Sequence, residues 1–229
     1  MKKKILVVAA HPDDEILGCG GTILKHIASG DIVHTMIMAE GLTSRDCKRD
    51  VIGRADDLSE LHQAARKVAD FMGVEKLIMH SFPDNRMDSV TLLDVVKKIE
   101  SEVDEFQPNI VYTHHAGDVN VDHRITHDAV ITACRSLPGE SVTDILFFET
   151  LSSTEWQMMT ADKIFQPNVY VNIEKFIAKK IKLLELYASE MRDYPHPRSY
   201  KGVEILAEYR GLTVGCPYAE AFMLGRSIR

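Results

Sequence analysis

The chain has 229 residues, enough for one large domain with a sizeable core and short for two. With 45% hydrophobic and 27% charged residues, its composition is that of a globular protein and excludes global disorder. A net charge of −7, from 27 basic and 34 acidic residues, argues against nucleic acid or an acidic membrane as partner, since both need a basic footprint.

No apolar run approaches the ~20 residues that span a bilayer, so membrane insertion is not expected. Met1-Lys2-Lys3-Lys4 imitates the start of an export signal, but Ile5 to Ala10 is too short for its apolar core and charged residues follow at once. Cys19, Cys47, Cys134 and Cys216 are scattered without a CxxC pair. They read as reduced thiols of a cytoplasmic protein.

In chain order, Lys4–Ala9 is a β-rich apolar run too short for a helix. Helical spacing follows over Ile16–Ile27, with Gly30 as a stop. Ile32–Ala39 reads as a second strand, Leu58–Phe71 as a helix ending near Gly73, and Lys76–His80 as a third strand. Val90–Phe106 is the next helix and Ile110–Thr113 the fourth strand, and Val130–Leu137 closes another helix. Farther on, Ile145–Glu149, Val169–Val171 and Tyr218–Leu224 read as strands, and Lys175–Ser189 and Tyr200–Arg210 as helices. Leu183, Leu184, Leu186 and Tyr187 form the core face of the first of these. Strands alternating with helices predict an α/β fold, a Rossmann-like three-layer α/β/α sandwich with a mostly parallel sheet. One domain over 1–229 with an elaborated C-terminal part is expected.

Ligands of such sheets bind beyond the carboxyl ends of the strands. Polar residues crowd three of those ends: His11 to Glu15, Glu40 to Asp46, and His114 to His123. Ala10-His11-Pro12-Asp13-Asp14-Glu15 offers imidazole and carboxylate donors suited to a borderline metal such as zinc. Helix capping is the plain alternative for Asp13 and Asp14, but it leaves the histidine unexplained. A second cluster, Asp118-Val119-Asn120-Val121-Asp122-His123-Arg124, is preceded by His114 and His115 and followed by His127. The glycines of Cys19-Gly20-Gly21 match no GxGxxG or GKS pattern and read as close helix packing.

These residues carry a resemblance. The chain resembles the zinc-dependent N-deacetylases of the PIG-L/LmbE-like family, which act mainly on N-acetylglucosamine-type sugars. Their AHPDDE loop stands intact as Ala10 to Glu15, and their HxDH-type motif corresponds to Asn120-Val121-Asp122-His123. The resemblance implies one zinc per chain held by His11, Asp14 and His123, although Fe(II) or Co(II) suits the same donors. It implies Asp13 as general base toward a water activated at the metal, and removal of N-acetyl from an amino sugar. It also implies Asp122 as the partner of an oxyanion-holding imidazole. That imidazole is missing here, because Asn120 occupies the position. An amide donates a hydrogen bond but carries no charge. His196, between two prolines in Tyr194-Pro195-His196-Pro197-Arg198-Ser199, is the first candidate to supply the charge, with His114 or His115 as alternatives. A rigid surface turn is the plain reading of that segment.

Arg45 and Arg86 follow strand ends, where their guanidinium forks suit sugar hydroxyls, phosphate or carboxylate; Asp84 suits hydroxyls, and Arg198 reads as an anion holder. With His114 and His115 they make up the candidate substrate contacts; solvated loop charge is the alternative. Arg124 reads as an anion holder or as a structural partner of Asp118 or Asp122. Trp156 reads as packing before sugar stacking. The expected partner is a small amino sugar or nucleotide sugar, and the resemblance allows a homo-oligomer. Two other readings stay open: hydrolysis of another amide, such as N-formyl or an amino-sugar thiol conjugate, and a non-catalytic sugar- or metal-binding protein on the same fold.

Overall fold

The structure is a computed structural model that describes residues 2–229. Seven strands form one sheet: β1 (Lys4–Ala9), β2 (Ile32–Ala39), β3 (Lys76–Phe82), β4 (Ile110–His114), β5 (Asp144–Phe148), β6 (Val169–Asn172) and β7 (Ala219–Ser227). Their order across the sheet is β3-β2-β1-β4-β5-β7-β6. The first five run parallel, and β7 pairs antiparallel with both β5 and β6. The α/β class and the mostly parallel sheet thus match the sequence pattern.

Six helices cover the sheet: α1 (Asp14–Ala28), α2 (Ala55–Met72), α3 (Leu92–Phe106), α4 (Val121–Ala133), α5 (Ile177–Leu186) and α6 (Tyr200–Leu212). Alternation along β1 sends Ile5 and Val7 to a core shared with α1, α2, α5 and α6, and Leu6 and Val8 to a second core under α3 and α4. Chain order reverses between β1 and β4, which pair directly, so a crevice opens where their carboxyl ends diverge.

Three helix predictions differ from the fold. The helix predicted to run to Leu137 stops at Ala133, where the Arg226 guanidinium from β7 gathers Cys134 O, Ser136 Oγ and Val142 O. The helix predicted to Ser189 stops at Leu186, and Tyr187 turns inward beside Leu183 and Leu184. Finally, α1 is not one regular helix. Cys19 sits at φ −146°, outside helical values, and the ladder breaks around it. A buried ion pair fills the break. Lys180 Nζ of α5 donates to Leu17 O at 2.9 Å and meets Glu220 Oε1 of β7 at 2.7 Å. Glu220 accepts from Gly21 N at 2.8 Å and from Thr22 N at 2.7 Å. Leu17 O and Gly21 N are the partners a regular helix would have joined.

Removing one partner of a buried pair strands the other charge. Lys180→Met is therefore expected to cost about 3–5 kcal/mol of stability in urea titration, and a loss below about 1 kcal/mol would show that the pair is not desolvated as described.

Candidate functional site

The loop leaving β1 must turn into α1 within four residues, and Asp13 makes that turn in the left-handed region at φ 112°. Such a conformation costs about 1–3 kcal/mol in a non-glycine residue and persists only where the surroundings enforce it. Glu15 does so: its Oε2 accepts from Asp13 N at 3.0 Å while its Oε1 accepts from Tyr187 OH at 2.7 Å. Burial pushes the Glu15 carboxyl up to about 7, opposed by the Tyr187 hydrogen bond. The Asp13 carboxylate makes no capping bond, which removes capping as its explanation.

Asp14 is fully buried, and its Oδ2 meets two imidazoles, His11 Nδ1 at 3.1 Å and His123 Nε2 at 3.2 Å, while His114 Nε2 stands 3.5 Å away without donating to it. Its Oδ1 is buried with no hydrogen-bond partner among the described residues. Donor atoms of His11, Asp14 and His123 lie within 4.8 Å of one another. Each of these two histidines is backed on its other nitrogen by a carboxylate. His11 Nε2 lies 3.0 Å from Asp122 Oδ2, and His123 Nδ1 lies 3.1 Å from Asp118 Oδ2. Carboxylate-backed imidazoles with an orphaned carboxylate oxygen between them are the donor set of a divalent metal, so these residues fit one.

His11, Asp84 and Asp122 form a second compact group. It fits a metal less well, because Asp122 already accepts from Asn85 N at 2.6 Å and Met87 N at 3.0 Å. Asp118 is equally occupied: it accepts from Thr154 Oγ1 at 2.8 Å, from Asn120 N at 2.8 Å and from Ser153 Oγ. Both act as supports.

The electrostatics follow from burial working against these charges. Burial disfavours ionised Asp14, but the His123 charge and the His11 hydrogen bond hold its carboxyl well below the usual range. Burial likewise disfavours protonated His123, and Asp14 and Asp118 outweigh it, raising the imidazole to about 9. Asp13 differs. Burial raises its carboxyl, and the neighbouring Asp14, Glu190 and Glu15 add to that, with only the Arg198 guanidinium opposing.

A cleft of about 200 Å3 opens beside this cluster, lined in part by His11, Asp13, Arg45, Asp84, Asn120 and Arg198. Asn120 caps α4: its Oδ1 accepts from Asp122 N at 2.8 Å, which leaves its amide NH2 toward other partners. Arg198 Nη1 lies 3.1 Å from Asp13 Oδ2, and its Nε donates to Ser152 Oγ at 3.0 Å. Asp84 accepts from Ser44 N at 2.8 Å and sits 3.3 Å from His11 Nε2. Arg45 is paired with Glu190 at 2.8 Å across the cleft mouth.

Other expected contacts lie elsewhere. His114 is fully buried beneath the cluster, stacked on His123 at 3.9 Å, with Nε2 accepting from Ala10 N at 2.8 Å. Burial and the His123 charge lower its pKa well below the ordinary value, so it is a neutral support and not a substrate contact or charge source. His115 is buried against Phe165 with Nε2 at 2.9 Å from Lys163 O, which also withdraws it from the cleft. His196 lies edge-on to Trp156 at 5.5 Å, its Nδ1 accepting from Arg198 N at 3.1 Å. No hydrogen bond joins it to the cluster among the described residues. Arg86 is half-buried and outside the cleft lining. Arg124 donates to Asp118 O and Val119 O and pairs with neither expected carboxylate. Trp156 is 54% exposed and so is not core packing. Sequence reasoning missed Asp118 as a support for His123, Glu15 as the brace of Asp13 and Glu190 as the partner of Arg45. The one available signal for Asp118 is its place in the motif-bearing loop.

The chain is similar to known proteins in sequence and in fold. The uncharacterized deacetylase YaiS of Escherichia coli (strain K12) is 28% identical over 196 residues, covering 82% of this chain and 92% of that protein. The structure is similar to that of N,N'-diacetylchitobiose deacetylase from Pyrococcus horikoshii, with a TM-score of 0.78, 21% identity and coverage of 98% of this chain and 84% of that one. GalB of Pseudomonas putida KT2440, a 4-carboxy-2-hydroxymuconate hydratase, shares the fold with a TM-score of 0.74 at 19% identity over 100% of this chain and 98% of its own. Residues 6–134, more than half of the sequence, match the PIG-L family model, described as GlcNAc-PI de-N-acetylase, and the chain belongs to that family.

Proposed function

We propose that the protein is a metal-dependent hydrolase that removes an N-acetyl group from an amino sugar or amino-sugar conjugate. The observation that carries this reading is the convergence of His11, His123 and Asp14, with Asp14 Oδ1 orphaned, beside the cleft-lining Asp13. Two nitrogens and one oxygen suit zinc, one per chain. The family match, described by an amino-sugar de-N-acetylation, supports the substrate class. The GalB likeness shows the fold alone, so the reaction is argued from the site. Four free cysteines suit a reducing compartment, which supports a cytoplasmic enzyme, and the single seven-stranded sheet supports one domain over 1–229.

His11, Asp14 and His123 would hold a divalent metal, which would supply Lewis acidity toward a water and a carbonyl near neutral pH. The rest falls to the chain. Asp122 and Asp118 fix the tautomers and angles of the two imidazoles. Asp13 takes a proton from the attacking water as the new C–O bond forms. It then delivers that proton to the amine nitrogen as the C–N bond breaks, releasing acetate and a free amino sugar. Its raised pKa, from burial and neighbouring carboxylates, suits both halves of that task. Asp84, Arg45 and Arg198 line the cleft where the sugar would lie.

The direct test pairs metal analysis with product analysis over N-acetylated sugars and nucleotide sugars. About one metal per chain with chelator-sensitive acetate release is the expected result. Formate or another acid as the product would change the acyl group, and metal with no product from any amide would refute the hydrolase. Asp13→Asn should keep its metal and lose about 10²–10⁴ in turnover; near-normal turnover would remove it as the base.

Asp118→Ala should weaken metal affinity about 10–100-fold, measured by chelator competition, because His123 loses its support. The metal-free protein has its own pH signature. His123 is raised to about 9 in the fold against an ordinary value near 6.5. Its contribution to stability is therefore fully present below about pH 6.5 and is lost as pH rises through about 9. Metal loading requires the neutral imidazole, so melting temperatures with and without metal should diverge increasingly from pH 6.5 to 9.

A further inference from the structure

We propose that the Arg198 guanidinium, together with the Asn120 amide, forms the donor pair that receives negative charge on the former carbonyl oxygen when water adds to the amide. The inference rests on the hydrolase reading and assigns within it a role that no imidazole here fills. His114 and His115 are withdrawn by burial and His196 makes no bond to the cluster.

Two side chains of the cleft wall present donors left uncommitted by the fold. Asn120 Oδ1 is tied to Asp122 N, and that cap settles the amide orientation, so its NH2 is the free end. Arg198 is held at two of its three nitrogens, Nε by Ser152 and Nη1 by Asp13, and its Nη2 has no partner among the described residues. The loop that carries it is closed on itself, with Arg192 N donating to Arg198 O at 2.9 Å and Ser199 capping α6. The guanidinium is thus fixed before substrate arrives. Its side chain is 22% exposed, enough to reach the cleft and shielded enough for its charge to act strongly. Donors fixed in advance stabilise developing charge without reorganising as it forms. Arg198 is also the cation in contact with Asp13, so the proton acceptor and the charge receiver share one anchor.

The proposal separates Arg198 from a residue that merely binds sugar. Glucosamine carrying an N-methylphosphonyl group presents a tetrahedral anion where N-acetylglucosamine presents a planar amide. Calorimetry on the metal-loaded protein reads affinity for the phosphonyl compound, and KM from initial rates reads N-acetylglucosamine, which the loaded enzyme would hydrolyse during a titration. Arg198→Gln should weaken the phosphonyl compound about 100-fold or more and N-acetylglucosamine by less than about threefold, with kcat falling about 10²–10³ and KM little changed. Arg198→Lys, which keeps the charge near Asp13 without the planar fork, should fold normally and still lose at least about tenfold in phosphonyl affinity. Guanidinium added to Arg198→Ala should restore part of the turnover. Equal weakening of both ligands would make Arg198 a ground-state sugar contact and overturn the proposal, as would no weakening of either. Should the wild type release no acid from any amino-sugar amide, the hydrolase reading and this role would fall together. Acetate release with equal weakening would remove the role of Arg198 alone.

Discussion

The site is organised around one desolvated charge. Asp14 is removed from water, and an ionised carboxylate there costs several kcal/mol unless its surroundings compensate. Compensation comes as an alternation of sign: Asp122, His11, Asp14, His123, Asp118 run in sequence, each within about 3.2 Å of the next. The outer carboxylates are in turn satisfied by backbone amides and hydroxyls, including Asn85 N, Met87 N and Thr154 Oγ1. The order of these groups leaves one oxygen of Asp14 unused at the centre. A divalent cation held there would complete that alternation, whereas a proton on an imidazole only approximates it.

The fold assembles this row from separate places. His11 and Asp14 ride on the β1–α1 turn, Asp118 to His123 on the β4–α4 connection, and Asp84 and Asn85 on the loop after β3. Parallel strands bring those loops to one rim, and the reversal between β1 and β4 leaves room among them. The late part of the chain then closes the site from above, with Tyr187 bracing Glu15 and Arg198 reaching Asp13. A fold shared with a hydratase needs such local detail to set its chemistry.

Much of this was legible because it is local. Period-2 and helical spacing located the strands and helices, and the His11 to Glu15 loop announced its donors within five residues. What stayed hidden was long-range. The Arg198–Asp13 contact joins residues 185 apart and the Tyr187–Glu15 contact residues 172 apart, and no spacing rule links them. His114 and His115 illustrate a subtler limit. Both stand at the end of β4, yet one is consumed by Ala10 N and stacking on His123, the other by Lys163 O. A histidine-rich sequence shows how many imidazoles are available, while the hydrogen bonds decide how many remain free. The break in α1 was illegible for the same reason, since Lys180 and Glu220 arrive from α5 and β7.

That break has a mechanical meaning. An unbroken helix of fifteen residues would be a rod about 22 Å long, and a small tilt at its solvent end would swing the opposite end through a comparable arc. With the ladder interrupted at Cys19, the rod becomes two short arms joined at Lys180 and Glu220, which are anchored in other layers of the protein. The arm that bears Asp14 is thus fastened at Leu17 O to the helix and strand that carry Lys180 and Glu220, and no continuous ladder of hydrogen bonds runs from it to the exposed end at Ala28.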